Sequence, residues 1–240
     1  MKVIIAIDSF KGSLTSREAG EAIRQGILQI HPDWDTYIIT IADGGEGMLN
    51  VMQEATGGKS ITIEAHDPLM QHTPATYGIS ADGTTAFIEM ANISGLPLVP
   101  TEQRNPMKTT TYGTGELIRD ALEKGCIQII IGIGGSATND AGTGMLQALG
   151  FRFLNHERKP LGQGGEILQE IAFIDDSEKH SLLKNAHFIV ACDVKTPFYG
   201  PEGAAHVFAR QKGADDNMTN QLDEGMRSFG LSRKIMGIVF

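Results

Sequence analysis

Short apolar runs alternate with amphipathic stretches in the N-terminal part of the chain. Residues 3–7 and 37–41 are such runs, and a short continuous apolar run is typical of a strand buried on both faces. Between them, apolar residues recur at helical spacing from residue 19 to residue 30, behind a capping-box pair of Thr15 and Glu18. A second helix is predicted from about residue 48 to residue 55. The resulting β-α-β-α order predicts a parallel sheet.

The middle of the chain changes to short strands joined by polar turns. Residues 61–65, 74–79 and 85–90 have this pattern, which predicts an antiparallel meander and a domain boundary near residue 90. Beyond this point, helical stretches again separate short apolar runs. The predicted strands of this part are residues 127–133, 151–154 and 187–192, and a final helix is predicted over residues 215–229. The pattern as a whole predicts an α/β fold.

The charge of the chain limits the partners that it can have. Its 240 residues include 20 Lys and Arg against 29 Asp and Glu, which gives a formal net charge of −9. Binding to the phosphate backbone of nucleic acids depends on dense Lys and Arg, so we expect no nucleic-acid partner. A small anionic ligand stays compatible with this composition, because backbone N–H groups can bind it locally.

Cysteines and apolar runs indicate neither a disulfide framework nor a membrane segment. Cys126 and Cys192 each lie beside an apolar run, which predicts buried free thiols. The first residues contain an apolar run too short for a signal peptide, and no run approaches the ~20 apolar residues of a membrane span. The sequence thus predicts a cytoplasmic protein without a membrane partner.

Acidic residues and glycines follow the predicted strands. Asp8, Asp43 and Asp193 each come shortly after one strand, and the glycine-rich residues 134–140 follow another. Because ligands of open α/β sheets bind beyond the carboxyl ends of the strands, these segments are expected to form one site if the strands converge. Asp193 suits a general base and a buried N-cap equally well.

The loop of residues 134–140 allows more than one interpretation. Residues 132–137 fit the G-x-G-x-x-G/A template of dinucleotide sites, so an NAD(P)-dependent oxidoreductase is an alternative function. Polar side chains crowd the same loop, and backbone N–H groups at a helix N-terminus suit any phosphate or carboxylate. A purely structural turn with an N-cap is the other alternative. No Walker A sequence occurs in the chain.

Two further segments combine charged residues with small ones. Asp8 and Lys11 flank Ser9, which indicates either a surface loop before a helix or a substrate site. In the second case the lysine contacts an anionic substrate, and the carboxylate holds a hydroxyl or Mg²⁺. Asp43 and Glu46 lie among three glycines, in a strand-to-helix setting that a hairpin turn does not explain.

Together these segments resemble the motifs of one enzyme family. They are IAIDSFKGSLTSREAGEAI, ADGGEGM, MKTTTYGTGELI, IGIGGSATNDAGTGMLQALG, ACDV and GAAHVFARQKGAD, and their order follows the bacterial glycerate kinase family from residue 3 to about residue 229. The resemblance implies transfer of the γ-phosphoryl group of ATP to a hydroxyl of D-glycerate, with Mg²⁺ and with 2-phosphoglycerate as the expected product. It also implies two α/β domains with the active site in the cleft between them, and it leaves homo-oligomer formation open.

The motif residues, interpreted through the chemistry of phosphoryl transfer, suggest a set of roles. That chemistry depends mainly on positioning and on the neutralisation of charge. The hypothesis assigns proton transfer and charge balance to Asp193, Asp8 and Lys11. It assigns nucleotide binding to Gly134, Gly135, Ser136, Thr138, Asn139, Asp140 and Lys212. Glycerate binding is assigned to Ser9, Lys11, Asp43, Gly44, Gly45 and Thr110, and Mg²⁺ binding to Asp43 and Glu46.

The resemblance ends before the chain does. Members of this family run on beyond the matching region, and residues 230–240 do not match what the family has there. In the family, the later part of the chain completes the N-terminal α/β domain. The expected domains are therefore residues 1–90, an incomplete Rossmann-like parallel sheet with an open edge, and residues 91–229, a second α/β domain. A non-catalytic ligand-binding remnant is the other alternative function.

Overall fold

The computed structural model describes residues 1–10, 13–42, 44–45 and 47–235, and this part of the chain forms three sheets with helices packed against them. The strands are β1 (Lys2–Ile7), β2 (Asp35–Thr40), β3 (Lys59–His66), β4 (His72–Ile79), β5 (Thr85–Glu89), β6 (Gln128–Gly132), β7 (Arg152–Leu154), β8 (Phe173–Asp175) and β9 (His187–Ala191). The α-helices are α1 (Ser16–Ile30), α2 (Met48–Thr56), α3 (Ala91–Ser94), α4 (Tyr112–Glu123), α5 (Thr143–Ala148), α6 (Ala204–Phe208) and α7 (Asp216–Ile235). The predicted α/β fold is confirmed.

The first unit of the fold consists of β1, α1 and β2. Its two strands pair in parallel, as the sequence pattern predicts. Thr15 and Glu18 form the predicted capping box at the start of α1. The helix then packs closely on one face of the sheet, where a Cβ on Gly20 would lie 2.7 Å from Ile38 Cγ2. A glycine at this position therefore allows the close approach of helix and strand.

The opposite face of this two-stranded sheet carries exposed apolar side chains. Ile4 is 66% exposed, Tyr37 51% and Ile39 49%. Parallel sheets ordinarily have both faces covered. In the described part of the chain, only the face toward α1 of this sheet is packed in that way.

The second unit is a five-stranded sheet with the order β3-β4-β5-β6-β9. Its first three strands are the predicted antiparallel meander, and β5, β6 and β9 continue the sheet in parallel. Helix α4 packs against it over a core of fully buried side chains, which include Tyr77, Ile88, Leu117, Ile118 and Ile129. A second core cluster joins α6, α7 and residues 165–169.

The domain boundary predicted near residue 90 falls inside the five-stranded sheet. Strands β5 and β6 lie on either side of that point, and they pair from Thr85 opposite Gln128 to Glu89 opposite Gly132. The change of sequence pattern at residue 90 therefore marks a change from antiparallel hairpins to parallel crossover connections within one sheet. It does not mark the end of a sheet.

Strand β9 forms one edge of the same sheet. Its residues Phe188, Ile189 and Val190 are 45%, 46% and 55% exposed, in contrast to Ile129 and Ile131 of β6, which are buried. The short strand β8 and helix α6 were not predicted, because three to five residues give no clear periodicity. Among the described helices, none is both long and apolar enough to cross a bilayer.

Candidate active site

A cleft of about 830 Å³ opens between the loop that follows β1, helix α2 and the carboxyl end of β5. Asp8 and Ser9 line it from the loop, and Glu89 and Asn92 line it from the sheet side. The backbone N–H of Ser9 donates to Asp8 Oδ1 at 2.7 Å. Within the described part of the chain, the buried hydroxyl of Ser9 has no hydrogen-bond partner. A buried hydroxyl without a partner is costly, so this atom is suited to a polar ligand.

An ion pair joins the two helices that flank the cleft. Arg17 of α1 donates to Glu54 of α2, and Thr40 Oγ1 donates to the second oxygen of the same carboxylate at 3.2 Å. The hydrogen bond from Arg17 lowers the pKa of Glu54 below its ordinary value. Both charged side chains are about half exposed, so the pair contributes little stability and mainly shapes the mouth of the cleft.

The glycine-rich turn before α2 lies against the ends of β6 and β9. Gly44 has a φ of +88°, and a Cβ on it would lie 2.8 Å from the carbonyl oxygen of Ala191. A Cβ on Gly132 would lie 2.3 Å from the carbonyl oxygen of Gly44, and one on Gly134 would lie 2.9 Å from Gly45 Cα. These close approaches require glycine on both sides. The turn therefore meets the start of the 134–140 loop, as expected for segments at the carboxyl ends of strands.

Asp140 ends the 134–140 loop as a buried anchor. Its Oδ2 accepts hydrogen bonds from Thr111 N at 2.8 Å, from Thr111 Oγ1 at 2.7 Å and from Gly144 N at 3.2 Å. Its Oδ1 accepts from Gly142 N at 3.1 Å, and the residue is 1% exposed. The chain's own carboxylate thus occupies the backbone N–H groups at the start of α5, where the sequence predicted an external anion.

Lys212 forms hydrogen bonds to the same loop from its buried side. Its ammonium group donates to Ser136 Oγ at 3.0 Å and to the carbonyl oxygen of Thr138 at 2.5 Å. The side chain is buried, and this burial lowers the pKa of Lys212 to about 8, while the charge of Asp140 acts in the opposite direction. No carboxylate of the described residues forms an ion pair with it. The loop therefore has a buried positive charge beneath Ser136.

The segments that form this site lie in the part of the chain that is similar to known proteins. The profile of the glycerate kinase family matches residues 3–235, which is nearly the whole chain. The chain belongs to the glycerate kinase family. The resemblance found in its motifs is thereby confirmed, and the match extends to residue 235, a few residues beyond the expected end near residue 229.

Similar proteins include enzymes from several bacteria. The chain is 48% identical over 241 residues to a glycerate kinase of Bacillus subtilis, covering 100% of the chain and 63% of that protein. It is 47% identical over 229 residues to glycerate 2-kinase of Escherichia coli, covering 95% of the chain and 60% of that protein. A crystal structure of a glycerate kinase 2 from Salmonella typhimurium LT2 superposes with a TM-score of 0.88 at 47% identity, over 99% of the chain and 64% of that protein. The chain thus spans less than two thirds of the length of these glycerate kinases.

The structure separates the predicted nucleotide-binding residues into two groups. Gly134, Gly135 and Ser136 are partly or fully exposed, next to the turn that precedes α2. Thr138, Asn139 and Asp140 are buried, at 6%, 7% and 1% exposure. Within the described residues, the side-chain oxygen of Asn139 has no hydrogen-bond partner. The first group can reach a ligand directly, whereas the second belongs to the packing beneath the loop.

The predicted substrate residue Thr110 does not line the cleft. It is 1% exposed, its N–H donates to the carbonyl oxygen of Pro68 at 3.1 Å, and its hydroxyl accepts from Tyr112 N at 3.2 Å. A Cβ on Gly144 would lie 2.0 Å from that hydroxyl. Thr110 therefore packs the start of α4 against α5. The sequence could not distinguish this role, because threonines before a helix occur both in ligand sites and in buried turns.

Of the remaining predicted site residues, the structure describes Asp193 but not three others. Asp193 is exposed, two residues beyond Ala191, which lies against Gly44. Among the described residues it has no hydrogen bond or ion pair. Three predicted residues lie outside the described part of the chain, and they are Lys11, Asp43 and Glu46.

One buried carboxylate of the cleft was not predicted. Glu89 is 5% exposed and stands at the carboxyl end of β5, where its Oε1 accepts from Leu49 N at 2.7 Å. The sequence pattern predicts a strand over residues 85–90, which places Glu89 inside the strand and not at its end. The rule that an acidic residue at a strand end marks a site would have found it if the strand had been ended at residue 89.

The dinucleotide alternative does not agree with the backbone of the glycine-rich loop. Its template requires a helix to open directly at the glycine turn. In the structure β6 ends at Gly132 and α5 begins at Thr143, so residues 133–142 lie between them. Family membership favours the kinase interpretation over this alternative.

Proposed function

We propose that the protein acts as a glycerate kinase, which transfers the γ-phosphoryl group of ATP to a hydroxyl of D-glycerate. Membership of the glycerate kinase family supports this activity. The name glycerate 2-kinase of the Escherichia coli relative supports 2-phosphoglycerate as the product. The observation that carries the proposal is the Asp8–Ser9 pair, which lines the cleft together with Gly47 at the start of α2.

D-glycerate is the proposed occupant of the end of the cleft near Ser9. The substrate carries one carboxylate and two hydroxyls, and each of these can pair with a polar group of the protein. The buried hydroxyl of Ser9, which has no partner among the described residues, is available for one of them. Lys11 is the proposed counter-charge for the substrate carboxylate, since the described acidic residues of the lining outnumber the basic ones.

In the proposed reaction, the substrate hydroxyl oxygen forms a bond to the γ-phosphorus while the bond to the leaving ADP oxygen breaks. The proton of that hydroxyl passes to a carboxylate, either Asp8 or Asp193. Asp8 lines the cleft, whereas Asp193 is exposed two residues beyond Ala191, which lies against Gly44. Such a base and the precise placement of the substrate account for most of what the chain contributes to phosphoryl transfer.

The triphosphate is proposed to lie at Gly134, Gly135 and Ser136. Gly135 is exposed, Gly134 and Ser136 are partly exposed, and the buried ammonium group of Lys212 donates to Ser136 Oγ. Carboxylate oxygens are the ligands that Mg²⁺ prefers, and the ion would neutralise charge on the phosphates when it is bound. Asp43 and Glu46 are the residues proposed to hold it.

A division at residue 90 is not proposed, because β5 pairs with β6, but an incomplete N-terminal sheet of β1 and β2 stays a proposal. The exposed apolar face of β1 and β2 supports an incomplete N-terminal sheet, because a parallel sheet ordinarily buries both faces. Addition of the carboxyl-terminal third of the Bacillus subtilis relative as a separate polypeptide is the test. The proposal expects amide exchange of β1 and β2 to slow in the mixture. Unchanged exchange in a mixture that contains both folded parts would contradict it.

An assay of ADP release with ATP, Mg²⁺ and D-glycerate tests the activity. We expect release that depends on D-glycerate, and a loss of about 10²–10⁴-fold in kcat when the base is replaced by Asn. Asp8→Asn and Asp193→Asn are compared with Asp33→Asn, which changes an exposed turn residue outside the cleft. The variant with the large loss identifies the base. A folded protein that releases no ADP with D-glycerate would contradict the proposal, and binding of D-glycerate without turnover would indicate a non-catalytic protein.

A further inference from the structure

Glu89 links the five-stranded sheet to the start of helix α2. It is the last residue of β5, it pairs with Gly132 of β6, and it is 5% exposed. Its Oε1 accepts a hydrogen bond from Leu49 N at 2.7 Å. Leu49 is itself 6% exposed, so this bond lies in the interior at the inner wall of the cleft.

The N–H group that Glu89 accepts has no acceptor within its own helix. Leu49 is the second residue of α2, and the first N–H groups of a helix lack intrahelical partners. The N-cap residue Gly47 has a φ of +92° and no side chain that could cap them. Glu89 therefore caps α2 from a different element, and its negative charge suits the positive end of the helix.

The same bond restrains the glycine-rich turn. Gly44 and Gly45 precede α2 by a few residues and lie against Gly132, Gly134 and Ala191, so closely that a Cβ on Gly44, Gly132 or Gly134 would clash. A turn made of glycines has much conformational freedom unless both of its ends are held. Strand β2 holds one end, and the bond between Glu89 and Leu49 holds the other.

We propose that Glu89 is a positioning residue, which fixes the start of α2 to the sheet and so holds the turn of Gly44 and Gly45 in place for the substrate. Its effect on turnover rests on the proposed function, whereas its effect on the turn does not. The acceptor oxygen matters for this role, and the negative charge is secondary. Glu89→Gln keeps an acceptor oxygen, and Glu89→Ala removes it.

Amide hydrogen exchange of Leu49, followed by NMR, tests the first part of the proposal, that Glu89 holds the start of α2. It needs no assay of activity. Exchange at Leu49 is expected to be at least about tenfold faster in Glu89→Ala than in the wild type, and close to wild type in Glu89→Gln. Glu116→Ala is the matched control. Glu116 Oε2 also accepts a backbone N–H, from His66 at 2.7 Å, but it does not line the cleft. Its replacement is expected to leave Leu49 unchanged.

Steady-state kinetics test the second part of the proposal, that the turn held by Glu89 serves the binding of D-glycerate. Glu89→Ala is expected to raise the KM for D-glycerate at least about tenfold, and Glu89→Gln is expected to restore most of the difference. Equal loss in the Gln and Ala variants would overturn the positioning role, since it would show that the charge acts directly. Unchanged exchange at Leu49 in Glu89→Ala would overturn it as well. If the wild type neither turns over nor binds D-glycerate, the proposed function fails together with this second part, and the exchange measurement still decides whether Glu89 holds the turn.

Discussion

The two strand-bearing units of the protein differ in how their parallel strands are covered. Strand β6 in the five-stranded sheet contains Ile129, which is 0% exposed and packs in the main core. Strand β2 of the first unit contains Ile39, which is 49% exposed on the face opposite α1. Both strands come from similar apolar runs in the sequence. The comparison shows that such a run predicts a strand, but that distant parts of the fold decide whether each face is covered.

A matched pair of truncations tests this difference and should have the largest effect. Ile129→Ala is expected to lower the free energy of unfolding by about 2–5 kcal/mol, because it removes buried methyl groups and leaves a cavity. Ile39→Ala is expected to lower it by less than about 1 kcal/mol, because the side chain is already half in water. Urea unfolding followed by circular dichroism measures both values. Equal losses in the two variants would show that the face of β2 is covered in solution.

The buried anchor Asp140 gives the next largest effect. Asp140→Ala leaves the N–H groups of Gly142 and Gly144 and both donors of Thr111 without their acceptor. A loss of about 2–3 kcal/mol is expected, since buried donors without partners carry their full desolvation cost. Because the anchor belongs to the second unit, amide exchange should accelerate around the start of α5 but not in β1 and β2. Exchange that accelerates equally in both units would show that they unfold together.

Lys212 adds a pH-dependent test of the same unit. Burial lowers the pKa of Lys212 from 10.5 to about 8, so between these values the unfolded chain binds a proton that the folded protein does not. The free energy of unfolding contributed by this group therefore rises with pH through that window, and the cost of burying the charged form is fully present below it. The stability of the wild type relative to Lys212→Met should increase as the pH is raised from about 8 to about 10.5.

Unfolding of both proteins across this pH range measures the Lys212 effect. Lys184→Met replaces an exposed lysine and serves as the control. The change of stability with pH in Lys212→Met is measured relative to this control, so that the general effect of losing one positive charge cancels. A difference for Lys212→Met that does not change with pH would show that the ammonium group is hydrated in solution, contrary to its buried position.

Much of the local structure could be predicted from the sequence, because the signals for it are local. The capping box of Thr15 and Glu18, the end of α2 at Gly57 and the antiparallel meander all follow from short patterns. The domain boundary expected near residue 90 could not be judged in this way. Pairing of β5 with β6 brings together residues about forty positions apart. No local pattern contains that information.

The candidate site shows the same limit in its residues. The sequence identified the segments that meet at the strand ends, because glycines and acidic residues after strands are visible in it. It could not separate partly exposed residues such as Ser136 from the buried Asp140, whose carboxylate already accepts hydrogen bonds from backbone N–H groups of the chain. It also missed Glu89, whose partner Leu49 is known only once the fold places α2 beside β5.

The smallest predicted change in the free energy of unfolding concerns the first unit. Its sheet is packed on one face only, so the capping box of α1 matters more for the helix. Thr15 Oγ1 accepts from Glu18 N, and the Glu18 carboxylate accepts from Thr15 N at 2.8 Å. Thr15→Ala is expected to lower the free energy of unfolding by about 1 kcal/mol and to accelerate amide exchange in the first turn of α1.

The hydrogen bonds from Thr15 lower the pKa of Glu18, so the stabilisation by this carboxylate is present above pH 4.5 and is lost as the pH falls through the lowered pKa. Glu18→Gln keeps the reciprocal bonds without a titrating group, and its stability should lack this acid dependence. If Thr15→Ala leaves the exchange of α1 unchanged, then packing on Ile38 alone determines the start of the helix.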